Sequence, residues 1–212
     1  MIVGVSKGEF EEAIKLTRNS CLISNGINIK SLPKVGYKNV DINNIKVCTI
    51  GRISYQKNPK LFNEVAKNFP EIEFTWIGNG EMIEFLNSPN INVTGWMNKN
   101  EALIKMNDAD IFLLTSLWEG LPIALLEAMY YKKVCIVSNC IGNRDVIINE
   151  KNGFIANNIN EFSEIIVNII ENKINIQEIK ENAYNDILES YNFDIVAEKY
   201  SNLYKSLLNE SC

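Results

Sequence analysis

Two glutamates, Glu119 and Glu127, stand with seven residues between them in a segment that could bind an anion. Glu119 lies in a loop where Gly120 permits a tight turn, and Pro122 suits the first turn of a helix. The amide groups after Gly120 would then point outward at a helix N-terminus, which is a ready anion site. The segment therefore predicts a phosphate-sized site between two carboxylates.

Glu127 is the only charged residue of the predicted helix Pro122–Tyr131. A helix that is apolar on all sides is typically a buried helix. A carboxylate within it is costly unless a partner satisfies it, and the hydroxyl groups of a ligand would do so. The alternative is an ordinary loop glutamate at position 119 and a helix glutamate that extends to solvent.

Two cations, Arg52 and Lys57, follow the first predicted strand, Lys46–Ile50, and precede a predicted helix. Ligands bind at the carboxyl ends of the strands in open parallel sheets, and Glu119 also follows a predicted strand. We therefore expect both cations at the same sheet edge as Glu119. Two cations beside a helix N-terminus suit a diphosphate, while two solvated surface cations are the alternative.

From about residue 46, short apolar runs alternate with segments of helical periodicity, which predicts an α/β fold. The predicted strands are Lys46–Ile50, Glu73–Ile77, Ile91–Thr94, Asp110–Thr115, Val134–Ser138 and Gly153–Ala156. The predicted helices are Pro59–Phe69 with Asn58 as N-cap, Glu81–Asn87, Lys99–Asn107, Pro122–Tyr131 and Asn143–Ile148. We expect a doubly wound, Rossmann-like parallel sheet of about six strands with helices on both faces. Before it lie a predicted helix, Ser6–Leu16, and a predicted turn, Ser24–Asn28; after it come the C-terminal helices Asn160–Glu171, Gln177–Ser190 and Asp194–Leu208.

Two further turns contain glycine and follow predicted strands. Gly78 and Gly80 flank Asn79 after the second strand, and this spacing alone is equally consistent with a simple tight turn. The segment Gly142–Asp145 follows the fifth strand, where it is expected at the carboxyl edge. A structural cap for the short helix that follows is an equally good interpretation of this segment.

Composition excludes several classes of function. The chain has no histidine, so the commonest general base and every Ser-His or Cys-His triad are absent. The net charge of −5 argues against a nucleic-acid partner. The five cysteines form no CxxC motif, and Cys48 and Cys135 lie in predicted strands. We expect buried free thiols and a reducing cytoplasm, with peripheral association at the inner face of the membrane as a further option.

These motifs in this order resemble those of the large retaining glycosyltransferase family 4. The pattern comprises the strand-end Gly51-Arg52 with Lys57, the later Gly78-Asn79-Gly80, and two glutamates separated by seven residues after a buried strand. The resemblance implies the C-terminal half of a two-domain GT-B fold. It assigns residues 46–212 to the nucleotide-sugar-binding domain, and residues 1–45 to the end of an N-terminal domain and the interdomain linker. It also implies that most of that first domain, which binds the acceptor, is missing.

The resemblance also implies roles for individual residues. Arg52 and Lys57 would neutralise the diphosphate, Glu119 would contact the donor sugar, and Glu127 would hold the ribose hydroxyls; neither glutamate is assigned as nucleophile or base. The catalytic set is therefore Glu119, Arg52 and Lys57. The implied donor-binding set is Gly51, Arg52, Lys57, Gly78, Gly80, Trp96, Met97, Glu119, Gly120, Leu121 and Glu127, with Trp96 and Met97 near the base.

No cofactor is expected, because the nucleotide-sugar donor is itself a substrate. No metal is expected, because the two cations and a helix N-terminus can balance the charge of the leaving diphosphate. The pair Asp108 and Asp110 forms a DxD, but it precedes a strand and is expected at the amino edge, away from the site.

The predicted function is the transfer of a sugar, with retention, from a UDP-sugar to a glycan or lipid-linked acceptor hydroxyl. The sequence of the Gly142–Asp145 segment resembles that found in enzymes that build bacterial surface polysaccharides. A sugar-nucleotide epimerase and a non-catalytic nucleotide-binding module are the alternatives. A dehydrogenase is disfavoured because no GxGxxG follows the first strand.

Overall fold

A computed structural model describes residues 1–37 and 40–209 of the protein. Its strands are β1 (Ile2–Gly4), β2 (Ser20–Leu22), β3 (Lys46–Ile50), β4 (Glu73–Ile77), β5 (Ile91–Val93), β6 (Ile111–Leu114), β7 (Val134–Ser138) and β8 (Phe154–Ala156). Its α-helices are α1 (Lys7–Leu16), α2 (Pro59–Lys67), α3 (Lys99–Asn107), α4 (Ile123–Tyr130), α5 (Asn143–Val146), α6 (Ile159–Ile170), α7 (Ile176–Ser190) and α8 (Phe193–Asn209). Short 3₁₀ turns cover Ile29–Ser31, Tyr55–Lys57 and Ile83–Phe85.

Six of these strands form one sheet in the order β5-β4-β3-β6-β7-β8, and every neighbouring pair is parallel. This confirms the predicted fold class. The chain order reverses between β3 and β6, which are adjacent in the sheet but distant in sequence. Loops on either side of such a switch point diverge and leave a crevice at the carboxyl ends of the strands, where α/β folds bind ligands.

Apolar side chains cover both faces of the sheet. Val47 and Ile111 belong to one buried cluster, while their neighbours Cys48 and Phe112 belong to the other. Strands that are buried on both faces account for the continuous apolar runs in the sequence. Cys48 and Cys135 are buried free thiols, as predicted, and burial raises the pKa of the Cys48 thiol to about 12. Cys212 lies outside the described residues.

Two local predictions were wrong because backbone groups bond to distant parts of the chain. Instead of the helix Glu81–Asn87 there is only the 3₁₀ turn Ile83–Phe85. The amides of Asn87 and Ser88 each donate to Asn63 Oδ1 at 2.9 Å, so these amides are not available to continue a helix. The predicted turn Ser24–Asn28 is an irregular segment, in which Ile27 exchanges backbone hydrogen bonds with Tyr191 and Phe193.

Residues of the N-terminal segment 1–37 contact the residue after α4 and the last helix. β1 and β2 form a separate parallel pair, with α1 as their connection. The Lys30 ammonium lies 2.6 Å from Asp194 Oδ2 near the start of α8. The Tyr131 hydroxyl donates to Pro33 O at 2.8 Å beyond the end of α4. The division into residues 1–45 and 46–212 stays a prediction.

The start of α2 depends on one residue with left-handed backbone. Asn58 has φ 51° and ψ 63°, and its side chain accepts a hydrogen bond from the Leu61 amide, which confirms the predicted N-cap. Asparagine tolerates this region better than other residues with a Cβ. The conformation turns the chain directly from the 3₁₀ turn that ends at Lys57 into a helix that begins at Pro59.

We expect Asn58→Ala to lower the free energy of unfolding by about 2 kcal/mol, through the loss of the cap and the strain of alanine in left-handed backbone. Asn58→Gly is the matched control, because glycine also lacks the cap but tolerates the conformation; its cost should stay below about 1 kcal/mol. Urea unfolding followed by circular dichroism measures both values. Equal losses in the two variants would contradict the role given to the backbone conformation.

Candidate functional site

Strands β3 and β4 are each followed by a glycine, and the backbones of these two glycines nearly touch. Gly51 and Gly78 have φ values of 152° and 145°. A Cβ on Gly78 would lie 2.2 Å from the carbonyl oxygen of Gly51, and a Cβ on Gly80 would lie 2.2 Å from that of Ile53. No side chain fits at either position, so these glycines are needed for the close approach of the two loops. Beside them lies a cleft of about 470 Å³, lined by Gly51, Arg52, Gly78, Gly80, Trp96 and Met97.

A buried ion pair connects the segment after β3 with the loop after β6. The Lys57 ammonium donates to Glu119 Oε1 at 2.6 Å, and the Ser116 hydroxyl donates to the same oxygen at 2.6 Å. The Glu119 side chain is 7% exposed and the Lys57 side chain 18% exposed. The Lys57 stem passes Gly51, where a Cβ would lie 3.2 Å from Lys57 Cε. The ion pair therefore stands next to the cleft.

Several contacts hold these two segments together. Thr115 Oγ1 donates to the carbonyl oxygen of Lys57 at 2.9 Å. The amide of Leu117 donates to Gln56 O at 2.8 Å, and Gln56 Nε2 donates in return to Trp118 O at 2.9 Å. The position of the Glu119 loop is consequently determined by the turn that carries Lys57.

Helix α4 follows this loop and is buried as predicted. Leu125, Leu126, Ala128 and Met129 are at most 1% exposed. Pro122 occupies the N-cap position without a side-chain hydrogen bond to the amides of the first turn. A helix N-terminus without a side-chain acceptor leaves amide donors for an anion, and Gly120 and Leu121 lead directly into it.

The Glu127 carboxylate is buried and has a cationic neighbour that the sequence interpretation missed. Its side chain is 7% exposed, and its Oε1 lies 2.7 Å from the Lys99 ammonium at the start of α3. Among the described residues, no donor forms a hydrogen bond with this oxygen, so the interaction between Lys99 and Glu127 is an ion pair without a hydrogen bond. In the sequence, Lys99 is simply a lysine at the start of a predicted helix. Such lysines are common, so nothing there indicated a contact with Glu127.

Arg52 lines the cleft but makes a different ion pair. Its Nε donates to Glu81 Oε2 at 3.0 Å, and the Arg52 side chain is 75% exposed. The backbone amide of Glu81 and the Arg52 guanidinium hold the pKa of the Glu81 carboxyl below its usual value. The structure thus pairs Lys57 with Glu119, Arg52 with Glu81 and Lys99 with Glu127, all at the carboxyl edge.

The Gly142–Asp145 segment packs against the Glu119 loop, although the sequence left its role open. Gly142 has φ 86°, and a Cβ there would lie 2.4 Å from Gly120 O. Asn143 is fully buried and donates to Ser138 O at 3.0 Å. The Ser138 hydroxyl donates in turn to the carbonyl oxygen of Ser116. A chain of hydrogen bonds therefore supports the loop from β7 and α5.

The N-terminus of α1 contacts both the Gly142–Asp145 segment and the Glu119 loop. The Gly8 amide donates to Asp145 Oδ2 at 3.1 Å. A Cβ on Gly120 would lie 2.7 Å from Glu9 Oε1, and Asn25 Nδ2 donates to Leu121 O at 3.5 Å. No sequence pattern indicated these contacts, because they join segments more than 90 residues apart.

The Asp108–Asp110 pair lies at the other end of the sheet. Asp110 Oδ2 accepts a hydrogen bond from the Lys46 amide at 3.0 Å, beside the start of β3. Burial raises the pKa of the Asp110 carboxyl. The predicted position at the amino edge is confirmed, and the expectation that no metal takes part stays a prediction.

The family model described as "Glycosyl transferases group 1" matches residues 38–186, which is more than half of the chain. The chain belongs to the group 1 glycosyl transferases. The curated relatives of this transferase include a galactosyltransferase from Escherichia coli named for UDP-Gal and α-D-GlcNAc-diphosphoundecaprenol, 33% identical over 73% of the chain and 44% of that protein. A Campylobacter jejuni N,N'-diacetylbacillosaminyl-diphospho-undecaprenol α-1,3-N-acetylgalactosaminyltransferase is 29% identical over 98% of the chain and 60% of that protein.

Solved glycosyltransferase structures share the fold of this group 1 transferase. Sucrose-phosphate synthase from Thermosynechococcus elongatus aligns with a TM-score of 0.86 at 16% identity, over 98% of this chain and 58% of that one. HepE from Anabaena, in complex with UDP and glucose, aligns with a TM-score of 0.83 at 18% identity, over 97% of this chain and 63% of that one. The chain spans about half the length of the curated relatives it matches.

We expect Gly78→Ala in this group 1 transferase to lower the free energy of unfolding by about 3 kcal/mol, because a Cβ cannot fit beside Gly51 O. Gly36→Ala is the control, since a Cβ there meets no atom within 4 Å. Thermal and urea unfolding measure the difference. A Gly78 variant as stable as the Gly36 variant would show that the two loops can separate without cost.

Proposed function

We propose that the chain binds the nucleoside diphosphate of a UDP-sugar at the carboxyl edge of its sheet and serves a retaining sugar transfer. One observation carries the proposal: Lys57 and Glu119 form a buried ion pair beside the uncapped N-terminus of α4, at the switch point of the sheet. This arrangement offers a cation and amide donors to a diphosphate and a carboxylate to a sugar hydroxyl.

The charges of the site fit the chemistry of a departing diphosphate. In the transfer, the bond between the anomeric carbon and the diphosphate oxygen breaks, the acceptor oxygen bonds to that carbon, and the acceptor hydroxyl releases its proton. Negative charge develops on the leaving diphosphate. The Lys57 ammonium and the amides at the start of α4 are fixed before the ligand arrives, so they stabilise this charge with little rearrangement. We propose that no metal is required for this step.

Glu119 would orient the donor sugar. Lys57 and Ser116 both donate to its Oε1. Among the described residues these donors occupy only Oε1, so the second oxygen, Oε2, is left for a ligand. A carboxylate held in this way accepts a sugar hydroxyl in a defined position, and such positioning contributes to the rate. Glu127, buried further along α4, would accept the ribose hydroxyls, and the loop with Trp96 and Met97 would border the base.

The names of relatives support a uridine nucleotide and a lipid-linked acceptor. The E. coli relative is named for UDP-Gal and a diphosphoundecaprenol acceptor, and the Campylobacter relative for a diphospho-undecaprenol acceptor. The solved HepE structure contains UDP and glucose. We propose a hexosyl transfer to a lipid-linked glycan in the synthesis of a bacterial surface polysaccharide.

We also propose a cytoplasmic position at the inner face of the membrane, since a lipid-linked acceptor would be reached there. The free thiols Cys48 and Cys135 are consistent with a reducing compartment. Within residues 1–37 and 40–209, no helix has the length and apolar character needed to cross a bilayer.

Calorimetry with UDP tests the site. Lys57→Met should weaken UDP binding by about 10- to 100-fold, because a charge-assisted contact in a partly buried site is lost. Arg52→Met should weaken it by less than about fivefold, because the Arg52 side chain is largely exposed and solvent screens its charge. Lys46→Met, at the amino edge, is the control for net charge and should bind as the parent does.

Lys57→Met leaves Glu119 buried without its cation, so the double variant Lys57→Met/Glu119→Gln accompanies it and restores a neutral pair. Thermal unfolding of all variants separates a loss of binding from a loss of fold. Equal UDP affinity in the parent and in both Lys57 variants would remove the proposed diphosphate site.

A product assay tests the reaction. We expect a protein that joins this chain to an acceptor-binding N-terminal domain, incubated with a UDP-sugar and an undecaprenyl-diphosphate-linked sugar, to give UDP and an extended glycan whose new bond keeps the donor's anomeric configuration. Proton NMR of the glycosidic linkage reads this configuration. An isomerised donor without transfer would indicate an epimerase, and binding without any product would indicate a nucleotide-binding module.

A further inference from the structure

Glu127 is a buried carboxylate in the neighbourhood of the proposed donor site, and the Lys99 ammonium accompanies it. Its side chain is 7% exposed in a helix that is otherwise apolar. The Lys99 ammonium lies 2.7 Å from Oε1, whereas no hydrogen-bond donor among the described residues reaches that oxygen with suitable geometry. The negative charge of Glu127 is therefore balanced by Lys99.

The position of Lys99 is set by the backbone. Lys99 is the first residue of α3, and a capping box fixes this end of the helix: the Asn98 side chain accepts from the Glu101 amide, and the Glu101 carboxylate accepts from the Asn98 amide. The preceding residues, Trp96 and Met97, line the cleft. Lys99 thus extends from the rim of the cleft to the buried carboxylate, with 61% of its side chain still exposed.

The pairing has a consequence for ligand binding. A buried carboxylate whose paired cation is removed is destabilised and is no longer held in one orientation. With the cation held at Oε1, the second oxygen of Glu127 is the acceptor that remains for ribose hydroxyls. Hydrogen bonds to a charged acceptor are stronger than those to a neutral one.

We propose that Lys99 is a positioning residue for the donor nucleotide, which holds the Glu127 carboxylate in the orientation that meets the ribose. The inference rests on the proposed uridine-diphosphate site and adds a residue to it. Lys99 acts through Glu127, so its removal affects recognition of the ribose hydroxyls more than recognition of the diphosphate.

The test compares the affinities of UDP and 2',3'-dideoxy-UDP, measured by calorimetry, because the two ligands differ only in the ribose hydroxyls. The parent protein should prefer UDP by about 10- to 100-fold, and Glu127→Ala should abolish this preference. Lys99→Met should reduce the preference to about threefold or less, while Lys99→Arg, which keeps the charge, should retain most of it.

Lys105→Met is the matched control, because it removes one positive charge from the same helix without touching Glu127. Its preference for UDP should equal that of the parent. Thermal unfolding shows whether each variant is folded, and Lys99→Gln provides a second neutral variant that retains a hydrogen-bond donor.

The outcomes separate the inference from the proposed function. If Glu127→Ala loses the preference for UDP and both neutral Lys99 variants keep it, the inference is overturned and the donor site stands. Tighter UDP binding by Lys99→Met would also overturn it, because Lys99 would then compete with the ribose. If the parent does not bind UDP, or Glu127→Ala keeps the preference, the proposed donor site itself fails.

Discussion

The buried pair between Lys57 and Glu119 joins the two halves of the sheet at its switch point. The two residues are 62 positions apart, and each follows a strand at the centre of the sheet. A buried charge pair is tolerated when its geometry is good and further hydrogen bonds satisfy it, and Ser116 supplies one of these to the same carboxylate oxygen. The loops after β3 and β6 are thereby held side by side, and the N-terminus of α4 remains next to a cation.

Charge pairing is a general feature of this sheet edge. Arg52 with Glu81, Lys57 with Glu119 and Lys99 with Glu127 place three cations and three carboxylates around the same crevice. The exposure of these pairs differs greatly, since the carboxylates of the last two are 7% exposed and Arg52 is 75% exposed. Electrostatic interactions are weaker at exposed positions, so the two pairs whose carboxylates are buried have the larger influence on how an anionic ligand would bind.

Hydrophobic periodicity predicted the elements well where the local pattern and the tertiary environment agree. The boundaries of β3, β4, β7 and α3 match the predicted ones residue for residue. The errors fall where a distant side chain or a distant segment of the chain takes the backbone hydrogen bonds. Asn63, 24 residues before Asn87, accepts the amides that a helix there would need. Ile27 bonds to the segment before α8, which no local signal could reveal.

The sequence by itself determined the parallel α/β sheet and the edge at which its charged loops lie, because strands that alternate with helices all bring their carboxyl ends to one side. It left Gly78 open as part of a simple tight turn, whereas the structure places the backbone of Gly78 against that of Gly51. Only the tertiary structure decided which cation meets which carboxylate. Lys99 pairs with Glu127, and Arg52 pairs with Glu81. These pairs form because the spatial order of the strands, rather than distance along the chain, determines which side chains come within reach.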